Sequence, residues 1–116
     1  MCDGFNEVVI PGTVNEIGKW AFRHCTSLDD LRILEGVNTI GDHAFHDCGS
    51  LTELEIPSTV ENIGHFAFSN CTQLANLTLP ESMGSSAEDP GMIGDYAFDR
   101  CESLEEVVIP NYIKDI

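Results

Sequence analysis

The chain has 116 residues, enough for one domain, and its 42% hydrophobic and 22% charged content is that of a folded soluble protein. Twenty acidic residues against five basic ones give a formal net charge of −15, which argues against nucleic acid or an anionic membrane as a partner, because both require clustered Lys and Arg. No apolar run is long enough to span a bilayer, and residues 1–5 lack the basic and apolar regions of a signal peptide.

The first recognisable element is Phe5-x-x-Val8-x-Ile10, in which apolar and polar residues alternate as in a short, half-buried strand. The same pattern returns four times along the chain. It predicts strands near residues 7–10, 30–33, 53–56, 76–79 and 106–109.

Between these strands a second pattern is repeated, beginning with IGKWAFRHC at residues 17–25. Its glycines are Gly18, Gly41, Gly64 and Gly94, which step by 23, 23 and 30 residues. We expect each copy to return along the side opposite the strands as a short helix or helical turn. The longer last step contains GSSAEDP at residues 84–90, whose composition predicts a loop insertion.

A repeat of this length cannot bury its own apolar face, so successive repeats must stack on one another. The sequence therefore predicts one α/β domain over residues 1–116, a leucine-rich-repeat solenoid of about four and a half repeats. It would be a right-handed coil with a narrow parallel sheet on one face and short helical turns on the other.

The repeat closely resembles the BspA-like leucine-rich repeats, whose pattern is I-G-x-x-A-F-x-x-C-x-x-L-x-x-L-x-I-P, and the resemblance covers essentially the whole chain. It implies a protein-recognition scaffold of the kind associated with adhesion. It also implies a secreted or cell-surface location, although the chain shows no signal peptide or anchor.

All five cysteines occupy one repeat position and should form a single buried column. They are Cys2, Cys25, Cys48, Cys71 and Cys101. Buried cysteine behaves as a small hydrophobe, so we expect a structural ladder of five free thiols. Disulfides between neighbouring turns are the alternative, since the spacing permits them, but side chains in register point in parallel directions. Metal binding is less consistent with a linear column.

Two columns of side chains should point outward from the strands. The first column contains Glu7, Asp30, Glu53, Asn76 and Glu106, and the second contains Val9, Arg32, Glu55, Thr78 and Val108. The polar members of both columns are the candidate residues for binding a protein with a basic surface. A merely solvated acidic face has equal weight, and a calcium site is disfavoured because no D-x-D-x-D-G loop is present.

The opposite side carries an aromatic column and the histidines. We expect Trp20, His43, Phe66 and Tyr96 to pack on one another rather than to form a binding strip. His24, His43, His46 and His65 are interpreted as surface residues without a metal. No catalytic motif is present, so we expect neither an enzyme nor a cofactor.

The leading hypothesis is a non-catalytic recognition module, adhesin-like, that binds its partner on the acidic strand face. The alternative is a structural spacer or a fragment of a longer array with no ligand of its own. Neither terminus resembles a polar cap, and this pattern is also compatible with end-to-end self-association.

Overall fold

The computed structural model of the chain describes residues 6–80 and 92–105. Four strands lie where the apolar and polar residues alternate, namely β1 (Glu7–Ile10), β3 (Asp30–Ile33), β5 (Glu53–Glu55) and β7 (Asn76–Thr78). Four two-residue strands lie between or after them, namely β2 (Glu16–Ile17), β4 (Thr39–Ile40), β6 (Asn62–Ile63) and β8 (Met92–Ile93). The predicted strand at 106–109 and the predicted loop at 84–90 fall outside the described residues.

All strand pairs are parallel and join equivalent positions of successive repeats. β1 pairs with β3, and β5 pairs with β7, so that Val8 lies opposite Leu31 and Leu54 lies opposite Leu77. The short strands form a second sheet in the order β2-β4-β6-β8. β3 lies beside β5, but no backbone ladder joins these two strands. The repeats are therefore stacked with their strands side by side.

The Gly-x-x-Ala-Phe segments contain no helix anywhere in the described ranges, so the predicted helical turns are wrong. Each segment consists instead of consecutive β-turns, in which the N–H of Ala21 donates to the carbonyl oxygen of Gly18 at 3.2 Å. Alternate amides donate to the next repeat. The pairs are Trp20 to Asp42, Phe22 to Ala44 and His24 to His46, at 3.1, 2.7 and 2.8 Å. These amides are consequently not available for hydrogen bonds within a helix.

The turns require left-handed backbone at two positions of each repeat. One position holds Trp20, His43, Phe66 and Tyr96, and the other holds His24, Asp47, Asn70 and Arg100, with φ between 57° and 68°. A positive φ at the third residue of a turn is typical of type II turns, which usually place glycine there. Here non-glycine residues adopt it, so contacts between repeats must compensate for the strain.

The core is formed by columns of equivalent apolar residues. The rings of Phe22, Phe45, Phe68 and Phe98 are stacked along the array with centroids 5.2, 5.2 and 5.4 Å apart. Phe45 and Phe68 are fully buried. Leucines, isoleucines and valines of the strand side complete a single cluster. Because Phe45 and Phe68 each pack between rings of the two adjacent repeats, neighbouring repeats stabilise one another.

The cysteine column is buried beside the phenylalanines, with Cys25, Cys48 and Cys71 at 0% exposure. Cys48, Cys71 and Cys101 are free thiols. Cys25 is disulfide-bonded, so the prediction of five free thiols is wrong. Cys2 lies outside the described residues. The expected parallel direction of side chains in register therefore does not prevent a disulfide at Cys25.

Candidate recognition face

The strand face presents the polar side chains that the alternation predicted to point outward. Glu7 is in register with Asp30 on β1 and β3, and Glu53 is in register with Asn76 on β5 and β7. Asp30 is half-buried, whereas the other three side chains are exposed. Strands in parallel ladders are roughly 5 Å apart, so the polar groups lie close together within each of these two pairs. Glu106 lies outside the described residues.

The second outward column carries Val9, Arg32, Glu55 and Thr78, all of them exposed. Arg32 is the only basic residue of the two columns in the described part, and its Nε lies 3.7 Å from Oδ1 of Asp30. Since the Arg32 side chain is mostly exposed and the Asp30 side chain is only half-buried, this ion pair contributes little to stability. It leaves the carboxylates of Glu53 and Glu55 without a cationic partner among the described residues.

A shallow, open groove crosses this face over β3, β5 and β7. It is lined by Asp29, Asp30, Leu31, Arg32, Glu53, Leu54, Glu55, Asn76 and Thr78. Six of the eight predicted binding residues are therefore brought together. Asp29 was not among them, because it precedes the alternating segment and only the fold places it at the groove.

The opposite side carries the aromatic row, and the prediction that its members pack on one another is confirmed. Trp20 stacks on His43 at 3.9 Å, His43 on Phe66 at 4.9 Å, and Phe66 on Tyr96 at 5.2 Å. The guanidinium of Arg23 lies 4.6 Å from the Trp20 ring centroid. The ends of the row remain open to solvent, since Trp20 is 47% and Tyr96 61% exposed.

A second polar column follows the left-handed positions. The Nδ1 atom of His24 lies 2.6 Å from Oδ2 of Asp47, and the side-chain amide of Asn70 donates to the other carboxylate oxygen of Asp47. Three repeats are thus joined through one carboxylate. No sequence pattern predicted this network, because it depends on the left-handed backbone that His24, Asp47 and Asn70 share.

The histidines are not simply surface residues as predicted. His65 is exposed, but His43 and His46 are half-buried, and the Nδ1 atoms of both are buried without a hydrogen-bond partner. Burial is the main cause that lowers the pKa of His43 and of His46 below the ordinary value of 6.5. No group of three or more His, Cys, Asp or Glu side chains in the described ranges has an arrangement that holds a metal ion.

The thiols of the cysteine column donate hydrogen bonds to backbone carbonyl groups. Sγ of Cys48 donates to the carbonyl oxygen of Phe22 at 3.4 Å, and Sγ of Cys71 donates to that of Phe45 at 3.4 Å. Burial raises the pKa of Cys48 to about 12, so this thiol is neutral at physiological pH. A neutral, enclosed thiol suits packing and is unsuited to nucleophilic attack.

Parallel strands repeated every 23 residues, a leucine and isoleucine core and an open polar strand face define a leucine-rich-repeat protein. Residues 1–116 match the BspA type leucine rich repeat region in 6 copies, and the chain belongs to that family. None of the curated proteins compared with the chain matches it. No helix in the described part is long and apolar enough to cross a membrane.

Three solved structures are similar to the chain over most of its length. A leucine-rich repeat protein from Bacteroides ovatus has a TM-score of 0.83 and 29% identity, over 97% of this chain and 30% of that one. The pneumococcal vaccine antigen PcpA has a TM-score of 0.80 and 28% identity, over 95% of this chain and 26% of that one. A T. pallidum leucine-rich repeat protein has a TM-score of 0.72 and 27% identity, over 90% and 58% of the two chains.

The chain thus spans less than two thirds of each of these structures.

Proposed function

We propose that the chain is a non-catalytic protein-recognition module, built as a right-handed solenoid, which binds a partner with a basic surface on its strand face. The observation that supports this proposal is the groove over β3, β5 and β7, where Asp29, Asp30, Glu53 and Glu55 converge and Arg32 is the only basic residue of the described lining. Leucine-rich repeats generally mediate protein interactions, and the family is generally non-catalytic.

The chemistry of the groove favours a protein partner. Small-molecule sites are usually concave and mostly apolar, whereas this groove is shallow and lined chiefly by charged and polar side chains. Adjacent carboxylates repel one another, and Lys or Arg side chains from a partner would relieve that repulsion. Such complementarity accelerates association and excludes partners of the same charge.

A secreted or cell-surface location and an adhesive role are part of the same proposal. They are supported by membership of the BspA type family and by the similarity to PcpA, which is a vaccine antigen.

The test compares two variants that carry the same charge. The strand-face variant carries Glu7→Gln, Glu53→Gln and Glu55→Gln, and the control variant carries Glu16→Gln, Glu61→Gln and Glu102→Gln. All six side chains are exposed, and each variant moves the formal net charge from −15 to −12. The amide preserves the shape of the side chain, so both variants should fold as the wild type does.

Each immobilised protein is then used to capture partners from native extract at low and at moderate salt. We expect a partner that the wild type and the control variant both retain and that the strand-face variant loses, with weaker capture at the higher salt concentration. Equal capture by all three proteins, or no specific capture, would contradict recognition on this face and favour a structural spacer.

A further inference from the structure

Several ionisable side chains lie close together on the turn side of the first two repeats, away from the strand face. The ring centroids of His43 and His46 are 5.5 Å apart, and those of His24 and His46 are 5.9 Å apart. Arg23 lies over Trp20, which itself stacks on His43. Three imidazoles and a guanidinium are therefore gathered on one small surface.

The surroundings of His43 and His46 suit neutral imidazole. His43 is stacked between Trp20 at 3.9 Å and Phe66 at 4.9 Å, and His46 lies edge-on to two other imidazoles. Both Nδ1 atoms are buried with no partner. In the tautomer that carries its proton on Nε2, the buried Nδ1 is only an unused acceptor, which costs less than a buried charged donor.

Protonation would place an N–H group at Nδ1 with no acceptor and would add positive charge to the cluster. The carboxylate of Asp42 favours the charged form of His43, but Arg23 and His65 oppose it. For His46 the carboxylate of Asp47 is favourable, whereas His43, His24 and Arg23 are unfavourable. The effect of burial on the pKa is larger than that of any one of these charges. Proton uptake is therefore disfavoured in the folded protein at both positions.

We propose that His43 and His46 make the packing between the first two repeats acid-sensitive, so that residues 18–25 and 41–48 separate in mildly acidic solution. Separation exposes both imidazoles and lets them take up protons. Since this device involves the turn side alone, it does not depend on the proposed function of the strand face.

The direction of the effect follows from linkage between proton binding and folding. The pKa of each histidine is lower in the folded protein than its ordinary value of 6.5, so the open state binds more protons as the pH falls through this region. The packing of residues 18–25 against residues 41–48 is then most stable above pH 6.5, and its stability falls as the pH is lowered below that value. The ratio of open to closed molecules rises by up to about tenfold per pH unit for each histidine that titrates.

The repeat itself supplies substitutions that keep the packing. Phe66 and Ser69 occupy the positions of His43 and His46 in the following repeat, so the test variant carries His43→Phe and His46→Ser. The matched control is His65→Asn. His65 is exposed and accepts the N–H of Asp95 through Nδ1 at 2.8 Å, and Asp42 shows that a short side-chain oxygen accepts the equivalent bond at 2.8 Å.

Thermal unfolding is followed by circular dichroism from pH 7.5 to pH 5.0. We expect Tm of the wild type and of the His65→Asn protein to fall below pH 6.5, and Tm of the double variant to stay level or rise as acidic repulsion is relieved. An equal fall in the double variant, or no fall in the wild type, would overturn the proposal.

Two further measurements on the wild type locate the effect without relying on a variant. Hydrogen exchange, corrected for the intrinsic dependence on pH, should show earlier loss of protection at the amides of Phe22 and His24 than at Phe66 and Phe68. Imidazole 15N spectra should show unprotonated Nδ1 at His43 and His46 and titration midpoints below 6.5. Uniform loss of protection along the chain, or titration midpoints at or above 6.5, would refute the proposed acid sensitivity.

Discussion

At the scale of single residues, the cysteine column shows why a thiol suits this repeat position. The side chain must be small enough to lie beside the phenylalanine rings, yet it must also satisfy a carbonyl oxygen of the preceding repeat. Cys71 does both, because it is fully buried and its thiol donates to Phe45. Serine would be more polar and alanine would leave the carbonyl without this donor, so each would be destabilising.

The burial of these thiols predicts their order of reaction with iodoacetamide at pH 8. Cys101 is only half-buried and should be alkylated first in the native protein. Cys48 should be protected, because burial raises the pKa of its thiol to about 12, and Cys71 should be protected by the same enclosure. Peptide mass spectrometry follows each site, with urea-unfolded protein as the control in which the three thiols react alike. Alkylation of Cys48 as fast as Cys101 would contradict the buried column.

At the scale of elements, the turn segments depend on how closely successive repeats approach. A Cβ atom at Gly41 would lie 2.7 Å from the carbonyl oxygen of Ile17, and one at Gly64 would lie 2.7 Å from the carbonyl carbon of Gly41. At Gly18, by contrast, no heavy atom of the described residues lies within 4 Å of that position. Equivalent glycines therefore differ in the space around them. Gly41 and Gly64 lie against the backbone of the preceding repeat, which leaves no room for a side chain.

We therefore predict opposite effects for the same substitution at two equivalent glycines. Gly64→Ala should destabilise the protein by roughly 1–3 kcal/mol or more, because backbone atoms must move apart. Gly18→Ala should be neutral or should stabilise by about 0.4–1 kcal/mol, because its backbone is not left-handed and alanine restricts the unfolded chain. Urea unfolding of the two variants beside the wild type measures both changes. Similar losses at the two positions would show that the close approach is absent.

The turn segments also show what the sequence could and could not predict. Alternation identified the strands, because a side-chain period of two is visible in any copy such as Leu31-x-Ile33. The predicted helical turn was wrong because the amides of Trp20, Phe22 and His24 donate to the next repeat, and periodicity does not show where amides donate. The columns followed from the 23-residue register, but the groove and the His24–Asp47 contact depend on non-local geometry.

At the scale of the whole molecule, the excess of acidic residues opposes folding. A net charge of −15 on 116 residues creates self-repulsion that is stronger in the compact state than in the unfolded chain. Exposed carboxylates of adjacent strands lie well within the screening length of about 10 Å at 0.1 M salt. Among the described residues only two Lys/Arg–carboxylate pairs offset this repulsion, and both involve neighbouring residues of exposed surface.

Screening that repulsion should therefore stabilise the protein. Raising NaCl from 10 mM to 300 mM should increase Tm by about 4 °C, which corresponds to roughly 1 kcal/mol for a domain of this size. Sodium chloride is preferred to sulfate, because sulfate stabilises any folded protein by exclusion from its surface. The variant with glutamines at positions 7, 53 and 55 should gain less, since fewer carboxylates remain to be screened. A fall in Tm, or an equal gain in that variant, would mean that bound counterions or ion pairs, rather than diffuse repulsion, govern the strand face.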